Sequence, residues 1–385
     1  MIFAADSSNG HGEPVKESRT GVGHAEVRSS VKTVLIVTDA WHPMTNGVVT
    51  TLTQTVRCLQ GFGYEVRVIE PSAFRTVPCP SYPEIRIAVL AQRRMGALLD
   101  ERLPYALHIA TEGPLGWAAR RYCLAHGLRF TSSYHTQFPQ YLRSRAPVPL
   151  RLSYALIRRF HAAAEHCMVS TASMHRELTA RGFTNLVHWS RGVNTELFRP
   201  RAKSFLRLPR PIAVYAGRLA VEKNVDAFLE MPWSGSKLVV GDGPQRRRLE
   251  TRFAAATFVG YRYGEELAAH LAAADVLVFP SRTDTFGLVN LEAMACGVPV
   301  AAYPVTGPID VVRDGITGAL DEDLGRAARR ALALDPNDCR EHALRSAWEA
   351  CARQFDSHLV ECSAAPSPQG VRRGALVKRS ERALP

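Results

Sequence analysis

Two runs of short apolar strands alternate with helical segments along this chain, one on each side of a Pro- and Arg-rich connector, RGVNTELFRPRAKSFLRLPRP at 191–211. Parallel strands need a crossover long enough to hold a helix, so this alternation predicts parallel sheets covered by helices. The first run opens with TVLIV, a polar loop ending in Asn46-Gly47, and a helix through TLTQTVRCLQGFG. YEVRVIE, EIRIAVL, ALHIA, RFTSSYH and HCMVST follow as strands, with helical segments between several of them. The second run holds IAVYAGRL, an acidic and apolar helix to Met231, KLVVGDGP, a basic helix, FVG, a helix to Ala274, and VLVFPS. AALALDPNDCREHALRSAWEACARQFDSHL reads as helix with a break at Pro-Asn-Asp. The expected architecture is α/β, with two Rossmann-like domains at 31–198 and 199–345 facing each other across a cleft. A helix at 346–362 is expected to pack back on the first domain. Residues 1–30 and 363–385 lack periodicity and read as disordered tails, the second of them basic.

A chain of 385 residues has room for two cores. No apolar run approaches the roughly 18 residues that a membrane span needs. The opening MIFAADSSNG has too short an apolar patch, and no basic start, for a signal peptide, so the expected location is the cytoplasm. Eight cysteines stand far apart with no Cys-x-x-Cys, which indicates neither a disulfide framework nor a zinc site. Cys167 and Cys296 read as small buried hydrophobes. The net charge of +12 favours anionic partners: nucleic acid, a phosphate-bearing small molecule or an acidic membrane surface. The basic residues are spread over both halves without a recognisable nucleic-acid module, so nucleic acid is not the expected partner. GVGH in the first tail is half of a dinucleotide fingerprint with no strand before it, and is set aside.

The densest chemistry lies in SRTDTFGLVNLEAMACGVPV at 281–300. After the strand ADVLVFPS comes a turn, and Leu288, Leu291 and Ala295 then fall at helical spacing. Gly297 can close that helix in a left-handed conformation, Pro299 cannot continue it, and VPVAAY is the next strand. In a parallel sheet such a turn lies at the carboxyl edge, where ligands bind. Asp284 and Glu292 flank the turn, and a carboxylate accepts the two hydrogen bonds of a vicinal diol. The bland alternative makes Glu292 a first-turn acid offsetting the helix dipole and Asp284 an N-terminal cap.

TNGVV, HTQFPQY, RGVNTELF, GRLAVEKN, GDGP and DTFGLVNLEAMACG occur in that order, and together they resemble the GT-B glycosyltransferases of the large retaining family 4 from about 33 to 360. The family's signature is a pair of glutamates with seven residues between them; here the first is Asp284, a shorter acid, and the second Glu292. The resemblance implies that Asp284 binds hydroxyls of the donor sugar and Glu292 the ribose of the nucleotide. The amides of Phe286, Gly287 and Leu288, at a helix N-terminus, suit a phosphate or sugar oxyanion. The same resemblance gives Arg218 and Lys223 the diphosphate, where an Arg fork and a Lys charge can neutralise the leaving group. The alternative for them is an exposed surface pair, with Glu222 beside Lys223.

His135 is expected, on the same resemblance, to touch the donor sugar near its reacting centre, against the common case of a core or capping histidine. Asn46-Gly47 resembles the loop that approaches the donor phosphate and acceptor, although many relatives have two adjacent glycines there. Gly260 and Tyr261 are placed near the base, with largely backbone contacts. No carboxylate nucleophile stands out, so the implied chemistry is front-face substitution with retention, without cofactor or metal. The Asp-Glu-Asp at 321–323 reads as a capping cluster rather than a metal site.

FPQYLRSRAPVPLRLSYALIRRFHAAA (138–164) carries Arg143, Arg145, Arg151, Arg158 and Arg159, no acid, and interleaved Phe, Tyr and Leu. Such a stretch can lie on an anionic bilayer, or form an ordinary helix pair with a solvated basic face. Arg372, Arg373, Lys378 and Arg379 can assist it or merely solubilise. The expected reaction moves a hexose or uronic acid from a UDP- or GDP-linked donor to a membrane lipid such as diacylglycerol, with the protein peripheral at the inner face of the membrane. The alternatives are a GDP-mannose-dependent α-mannosyltransferase acting on a polysaccharide or oligosaccharide, a sugar-nucleotide 2-epimerase, and a non-catalytic, membrane-associated binder of nucleotide sugar.

Overall fold

The structure is a computed structural model that describes residues 31–44, 46–79, 82–143 and 147–363; for 82–85 it describes the backbone. Fourteen strands are present among them. β1 (Thr33–Val37), β2 (Glu65–Ile69), β5 (Ala106–Ile109), β6 (Thr131–Tyr134), β7 (Cys167–Val169) and β8 (Leu186–His188) form one parallel sheet, ordered β2-β1-β5-β6-β7-β8. β9 (Ile212–Ala216), β10 (Ser236–Val240), β11 (Thr257–Gly260), β12 (Val276–Phe279), β13 (Val300–Ala302) and β14 (Gly318–Leu320) form the second, ordered β11-β10-β9-β12-β13-β14. Both sheets belong to one unit beginning at Lys32. The central strands β1 and β9 are buried along their whole length, which is why they read as unbroken apolar runs.

EIRIAVL is the exception to the parallel reading. Its strand β4 (Tyr82–Ala88) pairs antiparallel with β3 (Thr76–Cys79) in a separate hairpin, because the connection between them is too short for a crossover. The edge strands β8 (LVH) and β14 (GAL) are short and carry a His and a Gly, so their sequences do not stand out from the loops around them.

The predicted late helical segment is broken twice. Asp335 caps a helix at Pro336–Leu344, and a last helix spans Trp348–His358. That last helix leaves the second sheet and packs on the first: Cys351 and Phe355 share a core cluster with Val34, Ile36, Leu52, Met168 and Trp189. Asp323 caps Leu324–Ala331 through the Arg326 amide, and Asp321 is held by Arg326 and Arg330, so these acids of the Asp-Glu-Asp run serve the helix terminus. All eight cysteines are free, and Cys167 and Cys296 are buried as expected. No helix among the described residues is long and apolar enough to cross a bilayer. The two tails, with GVGH and Arg372, Arg373, Lys378 and Arg379, lie outside the described residues, as does Arg145.

Candidate active site

In the second sheet the strand order reverses between β9 and β12, and this is where an open α/β sheet leaves a crevice at its carboxyl edge. Arg218 and Lys223 follow β9, and Asp284 follows β12, so the topology alone brings them together. The two loops are fastened to one another: Asn224 donates to Pro280 O at 3.1 Å, and the hydroxyls of Ser281 and Thr283 reach Glu222 O at 3.4 Å. Within this frame Lys223 Nζ meets Asp284 Oδ1 at 2.5 Å, both side chains mostly shielded from water. Lys223 therefore pairs with Asp284 and is not the exposed surface cation of the alternative reading. Burial works against the ammonium, but Asp284, then Tyr141 and Tyr215, outweigh it and hold its pKa well above the ordinary value. Asp284 Oδ2 is buried and has no hydrogen-bond partner among the described residues.

Gly287 opens the helix Leu288–Ala295 at φ 81°, and a Cβ there would stand 2.7 Å from Asn290 Nδ2 and 2.8 Å from Phe279 Cζ. The position needs glycine on both counts. Gly287 itself is the N-cap residue and no side chain caps this helix, so Asp284 is not a cap. Glu292 lies beyond the first turn, which holds no acid. Both parts of the bland alternative are thus excluded. The described hydrogen bonds engage none of the amides of Phe286, Gly287 and Leu288. Glu292 has no described hydrogen-bond partner, and burial pushes its carboxyl up to about 7.

The first sheet supplies the opposite wall. Asn46 caps the helix Gly47–Gly61, its Oδ1 accepting from the amides of Val48 and Val49 at 3.0 Å. A Cβ on Gly47 would lie 3.6 Å from Leu288 Cδ1, so this loop does approach the glycine turn of the other half. His135, just past β6, is buried; its carbonyl accepts from Thr285 Oγ1 at 2.7 Å. Ser170 Oγ donates to Thr285 O at 3.0 Å, and Asp310 accepts from the amide and hydroxyl of Ser173 at the start of the helix Ala172–Ala180. Gly260, at φ 74°, accepts from Gly241 N at 2.8 Å, while Tyr261 is stacked on Tyr263 with ring centroids 5.8 Å apart. Tyr215 links the two regions. Its hydroxyl donates to Arg218 O at 2.7 Å, and burial raises its pKa, with Lys223 opposing and Asp284 and Tyr261 adding to the rise.

The family descriptions "Glycosyltransferase Family 4" and "Glycosyl transferases group 1" match residues 45–197 and 210–334. A GDP-mannose-dependent alpha-mannosyltransferase of Mycobacterium tuberculosis is 30% identical over 313 residues, covering 74% of this chain and 83% of that one. The chain belongs to the family 4 glycosyltransferases. It is therefore an enzyme. The sulfoquinovosyl transferase SQD2 of Arabidopsis thaliana is 31% identical over 277 residues, covering 67% of this chain but only 54% of that protein. Sucrose-phosphate synthase from Thermosynechococcus elongatus superimposes with a TM-score of 0.69 at 23% identity, over 85% of this chain and 98% of that one, a likeness of GT-B fold.

In this glycosyltransferase the described structure adds residues that motif reading did not single out. Tyr141 of HTQFPQY lies beside Thr283, Lys223 and Asp284, and burial, opposed by Lys223, pushes its hydroxyl up to about 12. Thr285 joins the halves through His135. Both lie inside quoted motifs, but a motif does not say which of its side chains face the crevice. A chain Ser132–His161–Glu112, with contacts of 2.9 and 3.0 Å, has the composition of a hydrolytic triad. It cannot act as one: Ser132 and His161 are fully buried. Burial would lower the His161 pKa, but Cys167 and Glu112 outweigh it and raise it to about 10, leaving no base.

Proposed function

We propose that this enzyme transfers a hexose, with retention, from a nucleoside diphosphate sugar to a hydroxyl of a membrane lipid. The observation that carries the donor reading is Glu292: a partly buried carboxylate with no hydrogen-bond partner among the described residues, its pKa raised by desolvation, eight positions after an acid whose charge Lys223 balances. Burying an acceptor-only group is costly unless a ligand completes it, and the two hydroxyls of a ribose do so. Asp284 Oδ2 then takes a sugar hydroxyl. Arg218, Lys223 and the turn amides of Phe286–Leu288 face the diphosphate. In the reaction the acceptor oxygen bonds to the anomeric carbon as its bond to the phosphate oxygen breaks. The acceptor proton passes to that phosphate oxygen, and the cations absorb the charge left on the diphosphate. GDP-mannose is the first donor candidate, because the M. tuberculosis relative is named for it.

The lipid reading rests on the helix Leu150–His161. It turns Ser153, Tyr154, Ile157 and Phe160 inward and leaves Leu152 65% and Leu156 51% exposed, flanked by exposed Arg151, Arg158 and Arg159. Exposed leucines among arginines suit a bilayer surface better than water, at ~1 kcal/mol per cation near anionic lipid. Arg120 fastens the end of this helix through Phe160 O and Arg159 O, and lines an apolar groove of about 490 Å³ with Leu90, Trp117 and Leu124. The groove has room for part of an acyl chain.

The test is incubation of the purified protein with radiolabelled GDP-mannose, UDP-glucose or UDP-glucuronate and anionic vesicles containing diacylglycerol. Label from one donor should enter the organic phase, and Leu152→Ser/Leu156→Ser should reduce that transfer about tenfold. Label found only in water-soluble oligosaccharide would reject the lipid acceptor.

A further inference from the structure

Arg191 is buried and meets no carboxylate among the described residues, an unusual position for a cation. Its Nη1 donates to Trp189 O at 2.6 Å and Ser190 O at 2.9 Å, its guanidinium lies 4.3 Å over the Trp189 ring, and its Nη2 stands 3.2 Å from His135 Nδ1. A guanidinium has donors and no acceptor. Its contact with an imidazole nitrogen therefore requires a lone pair on that nitrogen, so Nδ1 is unprotonated and the neutral ring carries its hydrogen on Nε2. His135 Nε2 is buried and has no hydrogen-bond partner among the described residues. The same residue's carbonyl accepts from Thr285 Oγ1, next to Asp284, so the backbone of His135 stands beside the acid that pairs with Lys223.

The support behind this pair comes from the end of the chain. Gln354 Oε1 accepts from the amide and hydroxyl of Ser190, both at 2.9 Å, and Cys351 Sγ donates to Ser190 O at 2.9 Å. Trp189 packs on Phe355 with centroids 4.9 Å apart. The carbonyls that grip Arg191 are thus fixed by the last helix.

We propose that Arg191 is a positioning residue: it locks His135 in the Nε2-protonated tautomer, which presents one fixed N–H donor to an oxygen of the bound donor sugar. The inference rests on the donor site proposed above and adds a residue and a sign to it: His135 donates and does not serve as a base. The groups facing the ring are Arg191 from the loop after β8, His108 from β5 and His161 from the Leu150–His161 helix. Burial first, then these three, keep the imidazole from gaining a second proton.

The tautomer can be read without substrate by long-range ¹H–¹⁵N correlation spectra of histidine-labelled protein, with His135→Gln supplying the assignment. The wild type should show a pyridine-type Nδ1 and a pyrrole-type Nε2 for His135, unchanged from about pH 6 to about pH 9. Arg191→Met should release the ring, giving mixed tautomers or a titrating signal, and should lower kcat about 10²-fold while nucleotide affinity changes less than about threefold. Arg191→Lys, which keeps the charge and a donor, should recover part of both. A pyrrole-type Nδ1 in the wild type overturns the proposal, as does a folded Arg191→Met protein with wild-type kcat and spectrum. If Arg191→Met does not fold, the wild-type spectrum and Arg191→Lys decide. A wild type inactive toward every donor would instead sink the donor reading, with the lock still decided by the spectrum.

Discussion

Glu292 is the residue at which stability and function pull apart. Its carboxyl sits at about 7 in the folded protein against an ordinary 4.5, because burial penalises the charged form. The unfolded chain therefore loses this proton first as pH rises. Folding is penalised progressively between about 4.5 and about 7, and by a constant amount above that. Glu292→Gln removes the charge in both states and should raise stability at pH 8 by up to about 3 kcal/mol, with little change at pH 4, as read from urea midpoints at the two pH values. The same substitution should weaken GDP binding in calorimetry. In the wild type that binding should strengthen as pH rises through about 7, because the proposed ribose contact needs the ionised carboxylate, and in the variant it should be flat across that range. An unstable Glu292→Gln protein at pH 8 would show that the carboxylate has a protein partner.

The element that shapes the site is the glycine turn leading into the helix Leu288–Ala295. Two glycines bound this helix in left-handed conformations, Gly287 at its start and Gly297 past its end. They differ in their surroundings. A Cβ on Gly287 would strike Asn290 and Phe279 at 2.7 and 2.8 Å, whereas one on Gly297 would meet its nearest neighbour, Pro336 O, at 3.4 Å. Each alanine substitution forces an unfavourable φ at about 1–2 kcal/mol, but only Gly287→Ala must also move the turn. Gly297→Ala should lower stability by that amount and leave GDP affinity unchanged. Gly287→Ala should cost more and, if the Phe286–Leu288 amides hold the diphosphate as proposed, lower the affinity at least tenfold. Equal effects on affinity would place the anion elsewhere.

For the whole molecule, the last helix ties the two halves together, because it leaves the second sheet and completes the core of the first. Phe355 is fully buried there, against Trp189 at 4.9 Å and His108 at 4.8 Å. Phe355→Ala should cost about 3–5 kcal/mol. Thr285 with His135 and Ser170, and Asp310 with Ser173, also bridge the halves, so calorimetry should show one cooperative transition that moves as a whole in this variant. Two separated transitions, with only one shifted, would show that these bridges do not couple the halves.

Periodicity and turn chemistry determined the broad design by themselves. Unbroken apolar strands such as TVLIV and IAVYA mark positions buried on both faces, the linker at 191–211 divides the runs, and the order of motifs names the family. The hairpin of β3 and β4 escaped this reading because its strand is apolar in the same way, and direction is a property of the partner. Distance in the chain hid the rest. Lys223 and Asp284 are 61 residues apart, and His135 and Arg191 56. Sequence supplies their charges and hydrogen-bonding capacity. Only the tertiary structure decides which charge each one meets, how much water remains beside it, and so whether a carboxylate is spent on a lysine or kept for a ligand.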